Sequence, residues 1–159
     1  MKLYLVQHGD AVAKDADPER PLSETGRRDV RAVAGFLEQA GIRVQRILHS
    51  GKRRAEQTAA ILAETVLMTG APQTVSGIAP NDDVGAVADS IAGWTQEVLV
   101  VGHLPFMARL VSLLLTGEPE RAAVCYQPGT VVCLERSDAS DWCINWMLRP
   151  QLLVASAGE

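Results

Sequence analysis

The sequence predicts an α/β protein: a three-layer sandwich whose mostly parallel sheet is flanked by helices. Three observations carry that expectation. Short apolar runs alternate with segments of helical spacing along most of the chain, the mark of strand–helix–strand units. One run, Val98-Leu99-Val100-Val101, is continuous and β-branched-rich, as expected of a strand buried on both faces. Near the end two strand-like runs, Thr130–Glu135 and Trp142–Leu148, follow each other across a Ser/Asp-rich loop, which adds an antiparallel pair to the sheet.

In chain order, Leu3–Val6 reads as the first strand, because it is short, apolar and ends at Gln7-His8-Gly9-Asp10. Ala13–Pro21 is polar and holds prolines, hence a loop. Ser23 then caps a helix in which Val30, Val33, Ala34 and Leu37 stand at i, i+3, i+4 and i+7, and Gly41 marks its end. Val44–His49 is the second strand, closed by Ser50-Gly51. The next helix carries Ala55, Ala59, Leu62, Ala63 and Val66 on one face. Gly70–Pro80 is irregular, with a short strand near Gln73–Ser76. Pro80-Asn81-Asp82 caps a helix bearing Val84, Val87, Ala88 and Ile91. After the strand of Glu97–Gly102, Pro105 suits the first turn of a helix in which Met107, Leu110, Val111 and Leu114 repeat the helical period.

The 159 residues are expected to form a single domain, long enough to bury a core without disulfides or metals. No apolar run approaches a membrane span, and the start lacks the long apolar region and small-residue cleavage site of a signal peptide. Three cysteines, Cys125, Cys133 and Cys143, show no metal or redox spacing, so a reducing, cytoplasmic setting is expected. A net charge of −4 gives no reason to expect nucleic acid or an anionic membrane as partner. Positive charge is instead local, in Arg20–Arg31 and in Lys52-Arg53-Arg54; most of these residues read as solvated helix faces.

Reactive groups of such sheets lie beyond the carboxyl ends of the strands. Three strand ends are informative here: Gln7-His8-Gly9-Asp10, Ser50 through Thr58, and Gly102-His103-Leu104-Pro105. If those strands are neighbours, two histidines and an arginine converge. A neutral imidazole is a good nucleophile toward phosphorus, and a covalent intermediate divides one hard displacement into two. Arginine offers paired donors matched to phosphoryl oxygens, and a second histidine, protonated beside the dianion, adds charge. An arginine at the start of a helix opposes the helix dipole, a mild local penalty that anion binding at Arg54 would offset.

These segments closely resemble the histidine phosphatase (phosphoglycerate mutase-like) superfamily, and more narrowly its SixA-type phosphohistidine phosphatases. The likeness is carried in order by Leu5 through Ala11, Arg20 through Gly26, Ser50 through Thr58 and Val100 through Pro105. It implies that His8 is the phosphorylated nucleophile, that Arg54 clamps the phosphoryl oxygens, and that His103 is the second pocket histidine. Gln7, Gly9, Arg20 and Leu104 are then substrate-binding positions, with Arg20 at the rim. It implies metal-independent chemistry with no cofactor, and a partner that is a phosphohistidine-bearing protein, such as a histidine-phosphotransfer domain, or a small phosphorylated molecule. A monomer is expected.

One position departs from the pattern. Gln7 stands where the superfamily motif has arginine, and glutamine brings an N–H but neither charge nor fork. Esters also need a general acid, for which Asp82 and Asp83 are candidates, although both equally suit helix capping. A phosphoramidate needs the acid less, because imidazole leaves more readily than an alkoxide. The expected activity is therefore phosphohistidine hydrolysis. The alternatives are a small phosphate ester as substrate, or a binding module weakened by Gln7. His49, Lys52, Arg53, Asp10 and the three tryptophans read as structural or rim residues.

Overall fold

A computed structural model describes residues 1–153. Its elements are β1 (Lys2–Gln7), α1 (Glu24–Gln39), β2 (Arg46–His49), α2 (Arg53–Val66), β3 (Gln73–Thr74), α3 (Val84–Ala92), β4 (Val98–Gly102), α4 (Phe106–Thr116), β5 (Val131–Arg136) and β6 (Trp142–Leu148), followed by a 3₁₀ turn at Pro150–Leu152. The six strands form one sheet in the order β3-β2-β4-β1-β5-β6. β1, β2, β3 and β4 run parallel, whereas β5 pairs antiparallel with β1 and β6 antiparallel with β5. This is the three-layer arrangement that the sequence predicts.

Strand alternation divides the core in two. Tyr4, Val6, Ile47, Leu99 and Val101 face one side and pack against Val30, Val33 and Leu37 of α1 and Ala59, Leu62 and Val66 of α2. Leu3, Leu5, Val98 and Val100 face the other side, against Val84 and Ile91 of α3 and Phe106, Met107, Leu110 and Val111 of α4. Each fully buried leucine or phenylalanine in these layers contributes about 1.5–3 kcal/mol of transfer free energy. β4 is buried along its whole length, which explains its unbroken apolar run.

The differences from the sequence reading lie at element ends. β2 begins at Arg46, not Val44, because Val44 instead bridges Leu67 at the end of α2 and the Gln45 N–H bonds the Glu97 carbonyl. α3 is capped by Asp83, whose carboxylate accepts from the Gly85 N–H, rather than by Asp82. α4 starts at Phe106, after a cis Leu104–Pro105 bond. Ser23 caps α1 as expected, its hydroxyl accepting from the Gly26 N–H. No helix among the described residues is long and apolar enough to cross a membrane.

Candidate active site

Because β4 lies between β1 and β2, the ends of all three strands are adjacent, and His8, Arg54 and His103 meet there. His8 follows the last residue of β1, and its backbone N–H bonds the Gly102 carbonyl of β4 at 3.0 Å. The imidazole rings of His8 and His103 are 5.0 Å apart, centroid to centroid. Arg54, the second residue of α2, directs its Nε–H at Nε2 of His8 across 3.2 Å.

Two partners of fixed role decide the His8 tautomer. A carbonyl can only accept, so Nδ1 of His8 donates to the Gly9 oxygen at 2.7 Å. A guanidinium can only donate, so Nε2 carries the lone pair. Burial pushes the His8 pKa down to about 4; the bond to Gly9 works against this, and the nearby Arg54 and Arg20 charges reinforce it. His8 is therefore neutral at pH 7 with its Nε2 lone pair turned toward a cation.

His103 is 1% exposed. Burial first, then His8, Arg54, Lys52 and Arg20, push its pKa down to about 3. Its Nε2 shares a 2.6 Å hydrogen bond with the Ser50 hydroxyl, while its buried Nδ1 has no partner among the described residues. The two histidines are thus neutral and the surrounding charge is carried by Arg54, Arg20 and Lys52. Arg54 is itself held below the usual guanidinium value by burial and by Arg20. In a protein of net charge −4, this is a local concentration of positive charge around two uncharged imidazoles.

The remaining sequence candidates are distributed unevenly. Arg20 joins the site: it adopts φ +48°, its Nε–H holds the Val12 carbonyl at 3.1 Å, and its charge is felt by both histidines. Gln7 is 7% exposed, and its Oε1 has no hydrogen-bond partner among the described residues. The Gly9 N–H is occupied by Thr58 Oγ1 at 3.0 Å, so Gly9 serves the site through its carbonyl. Leu104 is exposed beside His103, but the Met107 N–H behind it is spent on the His103 carbonyl. Asp82 accepts from the Ala79 N–H and Asp83 caps α3, so both carboxylates are engaged with backbone, and neither is among the charges acting on His8 or His103. His49 is buried and accepts from the Gly51 N–H, a structural role.

Three residues beyond the candidates contribute. Ser50 holds His103, Thr58 holds Gly9, and Asp10 is the carboxylate whose charge reaches His8. Asp10 is fixed by the Ser23 hydroxyl, and its backbone runs so close to α1 that a Cβ on Gly26 would lie 2.1 Å from the Asp10 carbonyl oxygen. Ser50 and Thr58 stand within the segment that carries the family likeness, but only their contacts give them a function.

The arrangement can bind a tetrahedral anion against Arg54 and Arg20 and present Nε2 of His8 to its central atom. Comparison with known proteins agrees with that capacity. The description of the histidine phosphatase superfamily (branch 1) matches residues 3–74. Phosphohistidine phosphatase SixA of Escherichia coli (strain K12) is 28% identical over 155 residues, covering 94% of each chain. An uncharacterized protein of Picosynechococcus sp. is 33% identical over 125 residues, covering 74% of this chain and 75% of its own. The solved structure of the protein histidine phosphatase SixA complexed with tungstate superimposes with a TM-score of 0.85 at 26% identity, over 97% of this chain and 100% of the other. With a neutral histidine, a facing arginine and a second histidine at adjacent strand ends, the chain belongs to the histidine phosphatase superfamily and is a phosphatase.

Proposed function

We propose that the chain hydrolyses protein phosphohistidine through a phosphorylated His8 intermediate. The observation that carries this reading is the fixed tautomer of His8, whose Nε2 lone pair is held toward Arg54. In the first step the phosphoryl oxygens take up the Arg54 and Arg20 donors. Nε2 of His8 then attacks phosphorus, the P–N bond to the substrate imidazole breaks, and the leaving nitrogen takes a proton from solvent. In the second step water attacks phospho-His8, its proton passes to solvent or phosphate, the P–Nε2 bond breaks and inorganic phosphate leaves. His103, neutral without a dianion beside it, gains affinity for a proton as the phosphoryl group arrives, so its charge appears when the anion needs it. Preorganised cations of this kind supply most of the stabilisation in phosphoryl transfer.

The choice of a phosphoramidate rests on the carboxylates. Asp82 and Asp83 are engaged elsewhere, and an imidazole leaving group makes little demand for an acid. SixA of Escherichia coli, by its name, acts on phosphohistidine, and a protein partner of that kind, such as a histidine-phosphotransfer domain in a signalling pathway, fits this chain too. A single sheet carrying the six strands found among the described residues supports one histidine phosphatase domain over 1–159. Two exposed free cysteines, Cys125 and Cys143, support a reducing, cytoplasmic compartment.

Two measurements test the reading. Brief exposure to ³²P-labelled phosphohistidine peptide should leave label on the protein, absent in His8→Ala; no label and no turnover on any phosphoramidate overturns it. Comparing kcat/KM for that peptide with p-nitrophenyl phosphate and sugar phosphates decides the substrate. A clear preference for esters would transfer the assignment to the small-molecule class.

A further inference from the structure

We infer that Thr58 is a positioning residue that locks His8 and Arg54 into their reactive relationship through a closed ring of hydrogen bonds. The inference rests on reading His8 as the nucleophile. Four bonds run head to tail. The Gly9 N–H donates to Thr58 Oγ1 at 3.0 Å, and the Thr58 hydroxyl donates to the Arg54 carbonyl at 2.8 Å. The Arg54 Nε–H donates to His8 Nε2 at 3.2 Å, and His8 Nδ1–H donates to the Gly9 carbonyl at 2.7 Å. Every member both gives and receives, and bonds ordered in one direction polarise one another.

The chemistry of a hydroxyl is what this position requires. Thr58 is fully buried and one turn beyond Arg54 on α2. A hydroxyl has one donor and two acceptor sites. The donor is used by the Arg54 carbonyl, so a lone pair is left to meet the Gly9 N–H. A valine in its place has the same shape but can neither donate nor accept. The Gly9 N–H would then lose its partner, and relief of that loss requires the His8–Gly9 segment to move relative to α2. Such movement changes the two distances that set the nucleophile: Nδ1 to the Gly9 carbonyl, which fixes the tautomer, and Nε2 to Arg54, which aligns the lone pair with the phosphoryl clamp. The Thr58 hydroxyl bonds backbone groups of Gly9 and Arg54 rather than the imidazole or the guanidinium, so it acts on the reaction through its neighbours.

The test compares Thr58→Val, Thr58→Ala and Thr58→Ser with wild type by two readouts. In ¹⁵N-detected histidine NMR, wild type should show His8 as a single Nδ1–H tautomer. Thr58→Val and Thr58→Ala should show a mixture, and Thr58→Ser should restore the single form. In steady-state kinetics with p-nitrophenyl phosphate, Thr58→Val and Thr58→Ala should lower kcat by about 10- to 100-fold with KM changed less than about 3-fold, as small misplacements of reacting groups do. Thr58→Ser should recover most of the loss. If Thr58→Val does not fold, the Ala–Ser pair, which differs by the hydroxyl, carries the comparison. A single wild-type tautomer in folded Thr58→Val or Thr58→Ala, or a Thr58→Ser as impaired as Thr58→Ala, overturns the inference. The tautomer readout needs no substrate, so an error in the substrate or nucleophile assignment would appear separately, as unlabelled and inactive wild type.

Discussion

The Nε–H of Arg54 meets Nε2 of His8 at 3.2 Å, so the guanidinium and the imidazole lone pair face each other directly. In the proposed mechanism a phosphoryl group takes this donor from the imidazole and frees the lone pair. Arg54→Ala should therefore lower kcat/KM by about 10²- to 10³-fold, the scale of losing a preorganised transition-state donor. Arg54→Lys keeps the charge but not the planar fork and should recover only part. Activity of Arg54→Ala within about 3-fold of wild type would remove Arg54 from the phosphoryl clamp.

Acidification should leave His8 uncharged far longer than an ordinary histidine. Its folded pKa, about 4, lies below the unfolded value near 6.5, so between those limits the unfolded chain takes up a proton that the folded chain refuses. Stability therefore falls as pH drops through that window, and His103, depressed to about 3, acts in the same direction. NMR titration should place the His8 inflection near pH 4, and chemical denaturation should give lower stability at pH 4.5 than at pH 7. A His8 inflection at or above 6.5 would contradict the burial that sets this shift.

Gln7 buries an amide oxygen next to His8 with no partner among the described residues. Gln7→Leu removes that orphan and should raise stability by about 1 kcal/mol, the lower end of the cost of an unsatisfied buried group. Gln7→Arg restores the charge found in the family motif and should raise kcat by about 10-fold or more if the pocket is under-charged. Thermal unfolding and steady-state rates on the two variants check both statements. An unchanged or lower rate in Gln7→Arg would mean that Arg20 and Lys52 already supply the missing charge.

Gly26 is needed for close approach. A Cβ there would stand 2.1 Å from the Asp10 carbonyl oxygen, which is backbone and cannot swing away. Gly26→Ala should cost about 1–3 kcal/mol as an overpacked contact. For a domain of this size, that lowers Tm by about 3–10 °C. Because Asp10 continues the His8–Gly9 loop, kcat should fall as well. A melting temperature within about 1 °C of wild type would show that α1 and the loop can separate freely.

The order of the elements and the identity of the central triad were legible because they depend on local pattern. The period of Val30, Val33, Ala34 and Leu37 and the unbroken run of β4 give the layers, and the three strand ends give His8, Arg54 and His103. Element ends were less legible: Val44 leaves β2 because it is claimed by Leu67, a contact 23 positions away. The free donors near Gly9 and the start of α4 were not legible either. The Gly9 donor is spent on Thr58 and the Met107 donor on His103.

By itself, then, the sequence determined the α/β architecture and the places of His8, Arg54 and His103 at strand ends, since hydrophobic period and the topology of parallel sheets act through near neighbours in the chain. Only the tertiary structure decided which atoms of those residues are free to react. The approach of Arg54 to His8 Nε2, the neutrality of His103, the Gln7 amide oxygen left without a partner among the described residues, and the ring through Thr58 all depend on hydrogen bonds and burial between segments far apart in the chain. Such bonds depend on distances of a few tenths of an ångström, which no spacing in a sequence encodes.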